Sequence, residues 1–275
     1  MNKDRKDAKY IKPNDSIHAI LPYLMEKRTE SEVYINEVID VTELKKWMDN
    51  QSKTIDFKLT YFHVFAAIFS KTIYNRPLLN RFVQGHRLYE RKKITVSFIA
   101  KDSFKDTASE KVVVIDVNGE NNVFDLAKII IGDVSSTRAQ GTNDLDKTLK
   151  MLTKMPRCIL KIITRIIKKL DYYGKLPESF TKTDSNYATL LISNLGSIKC
   201  NSCYHHLNNY GTNSVLITLG TVEEQNGKYF IDIGCTLDER IADGFYFANS
   251  IKLIKYIAAN PKLLNERIDE VVEYE

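Results

Sequence analysis

The stretch from Ser214 to Asn260 constrains the fold more tightly than any other part of this chain. Ser214 to Val222 is an apolar run of strand length, Gln225-Asn226-Gly227 is a turn, and Lys228 to Leu237 is a second strand. An Asn-Gly pair suits a tight hairpin because both central residues accept a positive φ. Asp238-Glu239-Arg240-Ile241-Ala242-Asp243-Gly244 follows, and then a helix from Phe245 to Asn260 with Phe247, Ile251, Ile254 and Ala258 on one stripe. Paired strands leading straight into an amphipathic helix exclude an all-helical or an all-strand chain.

The same reading extends to the rest of the 275 residues. Met1 to Asp15 is polar and predicts a mobile tail or a short arm on a neighbour, which places a single domain at residues 16–275. Ser16 to Met25, interrupted by Pro22, predicts a short helix or a bent segment. Val33, Ile35, Glu37, Ile39 and Val41 share one face of a half-exposed strand, and Thr42 to Asn50 reads as a helix. Thr60 to Tyr74 is a buried helix, with Tyr61, Val64, Phe65, Ile68 and Phe69 at helical spacing, ended by Pro77. Arg87 to Tyr89 and Ile94 to Ala100 predict a β-hairpin, and Lys111 to Val117 another strand. Val123 to Thr148 predicts helix with a break near Gly132 or Gly141. Ala188 to Ser193 is a strand, and Asn260-Pro261 opens a last helix, Lys262 to Val272.

Arg157 to Tyr173 fits two readings. Lys161, Arg165, Lys168 and Lys169 alternate with Ile159, Leu160, Ile162, Ile163, Ile166 and Ile167. A membrane-surface helix has this pattern, and so does a helix with its stripe in the core and its lysines in water, which is the expectation here. The net charge of +5 is spread along the chain with acidic residues near most basic ones, so no nucleic-acid surface is expected. No apolar run approaches the ~18 residues that span a bilayer, and Met1 to Asp15 lacks the apolar core of a signal peptide. Of the four cysteines, Cys200 and Cys203 form a single C-x-x-C without a second pair at finger-like spacing, so no metal is expected and the thiols are read as reduced and cytoplasmic.

Six motifs, in order, resemble the catalytic domain of the dihydrolipoyl acyltransferases (the 2-oxoacid dehydrogenase acyltransferases) and of chloramphenicol acetyltransferase. They are Tyr34 to Val41 with Thr42-Glu43-Leu44, the helix ending Asn75-Arg76-Pro77-Leu78-Leu79-Asn80, Leu191-Ile192-Ser193-Asn194-Leu195-Gly196, Leu216-Ile217-Thr218-Leu219-Gly220, Thr236 to Gly244 with its helix, and Asn260-Pro261-Lys262-Leu263-Leu264. The resemblance covers roughly residues 16 to 270. It implies a two-layer α/β sandwich with a mixed β-sheet, a homotrimer with active sites between subunits, and coenzyme A or acyl-CoA as substrate. With no lipoyl domain or Pro/Ala-rich linker before the domain, the acceptor would be a lipoyl domain in trans or a small molecule.

The family's signature reads H-x-x-x-D-G, and its histidine is the base; here that position is Glu239. By the resemblance Ser193 is the hydroxyl that stabilises the tetrahedral oxyanion, Asp243 holds the loop, and Gly244 admits the chain into the helix. The segment that carries a pairing arginine in the family is Ile20 to Met25 here, without a cation, which leaves Lys27 or Arg28 as substitutes or Asp243 as a simple helix cap. A glutamate is intrinsically the weaker base by about two pK units, roughly 3 kcal/mol, and burial in an apolar channel closes that gap. His205 and His206 are alternative bases. Two functions remain open: a CoA-dependent acyltransferase passing acyl groups to a thiol or hydroxyl with an altered or lost base, or a non-catalytic relative acting as a trimeric assembly or ligand-binding protein.

Overall fold

The computed structural model describes residues 4–13, 15–101, 110–139 and 151–274. Its strands are β1 (Ala8–Ile11), β2 (Glu32–Asp40), β3 (Arg81–Gln84), β4 (Arg87–Arg91), β5 (Ile94–Lys101), β6 (Glu110–Val117), β7 (Leu190–Asn194), β8 (Val215–Gln225) and β9 (Lys228–Asp238). Its helices are α1 (Ser16–Leu24), α2 (Thr42–Gln51), α3 (Tyr61–Asn75), α4 (Val123–Ala139), α5 (Arg157–Tyr172), α6 (Glu178–Thr181) and α7 (Gly244–Ala259). Six strands make one sheet in the order β2-β9-β8-β7-β5-β6, and β1-β4-β3 make a small second sheet. The large sheet is mixed: β7 runs parallel to both β5 and β8, and the other pairs are antiparallel.

Alternation along the strands sends one set of side chains to the helices. Ile231, Ile233, Cys235 and Leu237 of β9, Val215, Ile217 and Leu219 of β8, and Val113, Ile115 and Val117 of β6 are buried in one core. Opposite them lie Leu44 and Trp47 of α2, Val64, Phe65 and Ile68 of α3, Leu126 and Ile130 of α4, and Phe247, Leu253 and Ile257 of α7. This is the two-layer α/β arrangement with a mixed sheet that the resemblance implied. The β8–β9 hairpin turns at Asn226 and Gly227, with φ of 53° and 79°, as the Asn-Gly pair predicts.

The other face of the sheet is crossed by the loop 199–214. Ser202 N donates to Asp232 Oδ2 at 2.6 Å, and Cys203 N to Thr218 Oγ1 at 3.2 Å, while Thr218 Oγ1 donates to Cys203 O at 2.6 Å. The approach is close because Gly234 has no side chain: a Cβ there would sit 2.6 Å from Cys203 O.

Five local expectations differ from what is observed. The N-terminal stretch is not all tail, since Ala8–Ile11 pairs with β4 and the Arg5 guanidinium lies 5.2 Å from the Phe82 ring centroid. Arg87 to Tyr89 and Ile94 to Ala100 do not pair; β4 belongs to the small sheet and β5 to the large one, because the chain changes layers at Lys92 and Lys93. The helix from Val123 runs through Gly132 to Ala139, and Gly141 lies outside the described residues. The final helical turn covers only Pro261–Asn265; beyond it backbone bonds from Ile268 N to Asn121 O (2.7 Å) and Asp269 N to Gly119 O (2.9 Å) replace helical ones. The stripe of α5 is not in the core: Ile159, Ile162 and Ile166 are 44%, 56% and 53% exposed.

At the start of α3, Thr60 Oγ1 accepts from His63 N (3.4 Å) and His63 Nδ1 accepts from Thr60 N (3.3 Å), a reciprocal cap. Burial lowers the His63 pKa to about 4, so the folded ring is neutral where the unfolded one begins to charge. Between pH ~6.5 and ~4 the unfolded chain binds the extra proton, so this residue's contribution to stability falls with pH, by at most about 1.4 kcal/mol per unit. His63→Gln keeps a capping acceptor and removes that titration. Urea unfolding across this window is expected to show a shallower pH slope for the variant than for the wild type.

Candidate functional site

The signature segment folds as a tight turn between β9 and α7, buried from Asp238 to Ala242 except at half-buried Glu239. Asp238 and Arg240 are 0% and 2% exposed. Arg240 grips Asp238 through two bonds, Nε to Oδ1 at 2.8 Å and Nη2 to Oδ2 at 2.7 Å, and its Nη1 donates to Met25 O at 2.8 Å. Asp238 Oδ1 also accepts from Ser31 Oγ at 2.9 Å and from Arg240 N at 3.1 Å. A fork-shaped guanidinium on a carboxylate, with the remaining valences satisfied, is the arrangement in which a buried pair holds its geometry.

Glu239 lies between these two and faces the other way. Its backbone N donates to Ser31 O at 2.9 Å, the side chain is half-buried, and its carboxylate has no hydrogen-bond or ion-pair partner among the described residues. The adjacent cation is committed to Asp238, so Glu239 is not paired with Arg240.

Asp243 acts as the N-cap of α7, its Oδ1 accepting from Tyr246 N at 2.7 Å. It makes no ion pair among the described residues; Arg28 is buried elsewhere, donating to Val83 O at 2.9 Å, and Lys27 pairs with Glu30 at 2.9 Å. Gly244 has open space where a Cβ would stand, so nothing in its own chain requires glycine there. Phe245, the next residue, is 77% exposed.

Ser193 is half-buried near the end of β7, beside Thr218 of β8, which in turn pairs with Gly234 of β9. The sheet register therefore separates Ser193 from Glu239 by two strands sideways and five residues lengthwise, roughly 20 Å at ordinary strand spacings. The structure does not bring these two together within one chain. His205 and His206 are exposed, with their rings stacked 5.0 Å apart and His205 Nδ1 2.9 Å from His206 O. The four cysteines are free thiols, and burial pushes Cys235 up to about 12.

Two cavities among the described residues, of about 400 and 330 Å³, are lined by none of Glu239, Ser193 and the two histidines. The larger is lined by Arg28, His86, Lys168 and Asp171; the sequence offered Arg28 only as a substitute partner for Asp243 and gave the other three no part in a site. Gly85-His86 between two strand-like runs was a visible turn signal, whereas Arg28 stands in the polar run Glu26 to Glu30 and gave no sign of burial.

Arg240→Met would leave the Asp238 carboxylate buried without its cation. It is expected to cost about 3–5 kcal/mol, read as a lower urea midpoint at unchanged slope.

No protein-family model matches the sequence, and no curated protein matches it. Solved structures do. A truncated catalytic core of the 2-oxoacid dehydrogenase multienzyme complex from Thermoplasma acidophilum superposes with a TM-score of 0.60 at 16% identity, over 92% of this chain and 99% of that one. A probable dihydrolipoamide acetyltransferase from Listeria monocytogenes 4b F2365 gives 0.55 at 15% identity, over 91% and 94%. A chloramphenicol acetyltransferase gives 0.55 at 10% identity, over 91% and 99%. The chain has the fold of these acyltransferase catalytic domains. Among the described residues no helix is long and apolar enough to cross a membrane.

Proposed function

We propose that this chain is a cytoplasmic CoA-dependent acyltransferase whose sites are completed between copies of itself in a homotrimer, with Glu239 as the base and Ser193 of a second copy as the oxyanion donor. The observation that carries the reading is the Glu239 carboxylate, half-buried and without a partner among the described residues while its neighbouring arginine is held by Asp238. A base must be free to take a proton, and a salt-bridged remnant would not be. The likeness to acyltransferase cores supplies the reaction class. Exposed apolar side chains support assembly: Tyr34 and Val38 on the outer face of β2 are 49% and 57% exposed, and Ile17 and Leu24 of α1 are 67% and 71%.

The reaction then balances as follows. Glu239 takes the proton of the acceptor thiol or hydroxyl, whose sulfur or oxygen attacks the thioester carbonyl of acyl-CoA. The Ser193 hydroxyl donates a hydrogen bond to the oxyanion so formed. Collapse breaks the carbon–sulfur bond, and the CoA thiolate recovers the proton from Glu239. The acceptor is a lipoyl group on another chain or a small molecule. The alternative is a non-catalytic trimeric relative that binds a ligand or serves assembly; Glu239 in place of histidine, the weaker base, favours it.

Release of CoA thiol from acetyl-CoA, followed with a panel of thiol and alcohol acceptors, tests the choice. Turnover is expected, and Glu239→Gln is expected to lower it about 100-fold or more. Glu239→Gln and Ser193→Ala chains, each expected to be strongly impaired alone, are expected to regain about a quarter of the sites when refolded together in equal amounts, because an intact site takes one residue from each. A trimer that neither binds CoA nor transfers any acyl group would establish the alternative.

A further inference from the structure

Arg28 lines the larger cavity and makes no direct ion pair among the described residues, its charge being offset only at a distance by Asp238 and Asp171. Arg28 is 3% exposed, and burial lowers its pKa to about 10. Its Nη1 and Nη2 donate only to neutral oxygens: Asn208 O at 3.3 Å, Val83 O at 2.9 Å and Gln84 Oε1 at 3.3 Å. Its Nε is buried with no partner among the described residues. A guanidinium out of water, with part of its donor set idle, is costly unless an anion completes it. The acid nearest in the cavity wall, Asp171, is already engaged by Gln84 Nε2 (2.9 Å), Tyr187 OH (2.6 Å) and Gly211 N (3.1 Å). Glu26, the other acid in the wall, is exposed at its edge.

The opposite wall is built around an unusual turn. Gly85 and His86 join β3 to β4 with both φ at +57°. A side chain at position 85 would meet Tyr172 O at 2.7 Å, so the C-terminal end of α5 sits directly on this turn. His86 is held from three sides: Nδ1 lies 2.8 Å from Pro22 O, Tyr23 stacks on the ring at 4.7 Å, and Tyr172 meets it edge-on at 5.8 Å. A carbonyl accepts only, so Nδ1 carries the proton and Nε2 is the free nitrogen. Lys168 of α5 completes the wall and has no ion-pair partner among the described residues. The remaining cations in the wall are spent, Lys27 on Glu30 and Arg240 on Asp238.

We infer that this cavity is a binding site for the oxyanion group, carboxylate or phosphate, of a small molecule. Arg28 supplies the fixed charge and Lys168 a second donor at the mouth, while the clamped His86 ring forms a rigid wall. Ser193 and Glu239 do not line the cavity, although Arg240, next to Glu239 in the chain, does, and the binding inferred needs no acyl transfer.

Calorimetric titration of the full chain with inorganic phosphate and with succinate, at constant ionic strength, tests it. At least one anion is expected to bind saturably with a Kd on the order of 1 mM. Lys168→Ala, an exposed change that leaves the fold intact, is expected to weaken binding about fivefold or more, and Arg28→Lys to do the same by removing the fork. Glu239→Gln is expected to bind as the wild type does. Binding of phosphate alone assigns a phosphate-bearing ligand, and of succinate alone a carboxylate-bearing one. Absence of saturable binding for both anions, or unchanged affinity in Lys168→Ala, overturns the assignment.

Discussion

The buried pair of Asp238 and Arg240 decides what the signature turn can do. It ties the end of β9 to the segment before β2 through Ser31, and to the end of α1 through Met25 O. It also removes the nearest cation from Glu239. A carboxylate with a guanidinium beside it is stabilised as the anion and loses basicity. With Arg240 engaged by Asp238, the adjacent glutamate makes no ion pair among the described residues. One ion pair thus fixes three chain segments and leaves the outward residue between its partners unspent.

Sheet register sets the second constraint. Ser193 pairs with Thr218 and Thr218 with Gly234, whereas Glu239 lies beyond the other end of β9. Strand spacing and rise are fixed by backbone hydrogen bonding, so no side-chain rearrangement closes a gap of roughly 20 Å. If these two residues act on one carbonyl, they come from different copies. The exposed apolar faces of α1 and β2, and Phe245 beside the turn, are surface that a second copy would cover.

Much of the fold was legible because its signals are local. The period-two alternation of β2 and β9, the Asn226-Gly227 turn and the stripes of α3 and α7 are all written within a dozen residues of themselves. What the sequence did not show depended on partners far along the chain. Arg87 to Ala100 has the pattern of a hairpin, yet β4 finds β1 and β3 while β5 finds β6 and β7. The stripe of α5 predicts burial, but periodicity cannot say against what, and its isoleucines remain exposed in the single chain. The site shows the same limit: Asp243 as a helix cap was readable from Asp-Gly before a helix, whereas the capture of Arg240 by Asp238 and the burial of Arg28 were not.

The position of Glu239 also links assembly to basicity. In water a carboxylate is a poor base for a thiol, and the deficit against histidine is about 3 kcal/mol. Desolvation reverses that order, because a low-dielectric surrounding penalises the anion and strengthens its hold on a proton. In the single chain Glu239 is half-buried at the rim of the turn. A second copy that brought Ser193 to it would exclude water from the carboxylate, so the contact that completes the oxyanion site would also shape the base. A histidine would need no such help. Under the proposed mechanism, the glutamate would keep a proton-handling group at the histidine's place, with a strength conditional on the assembled state.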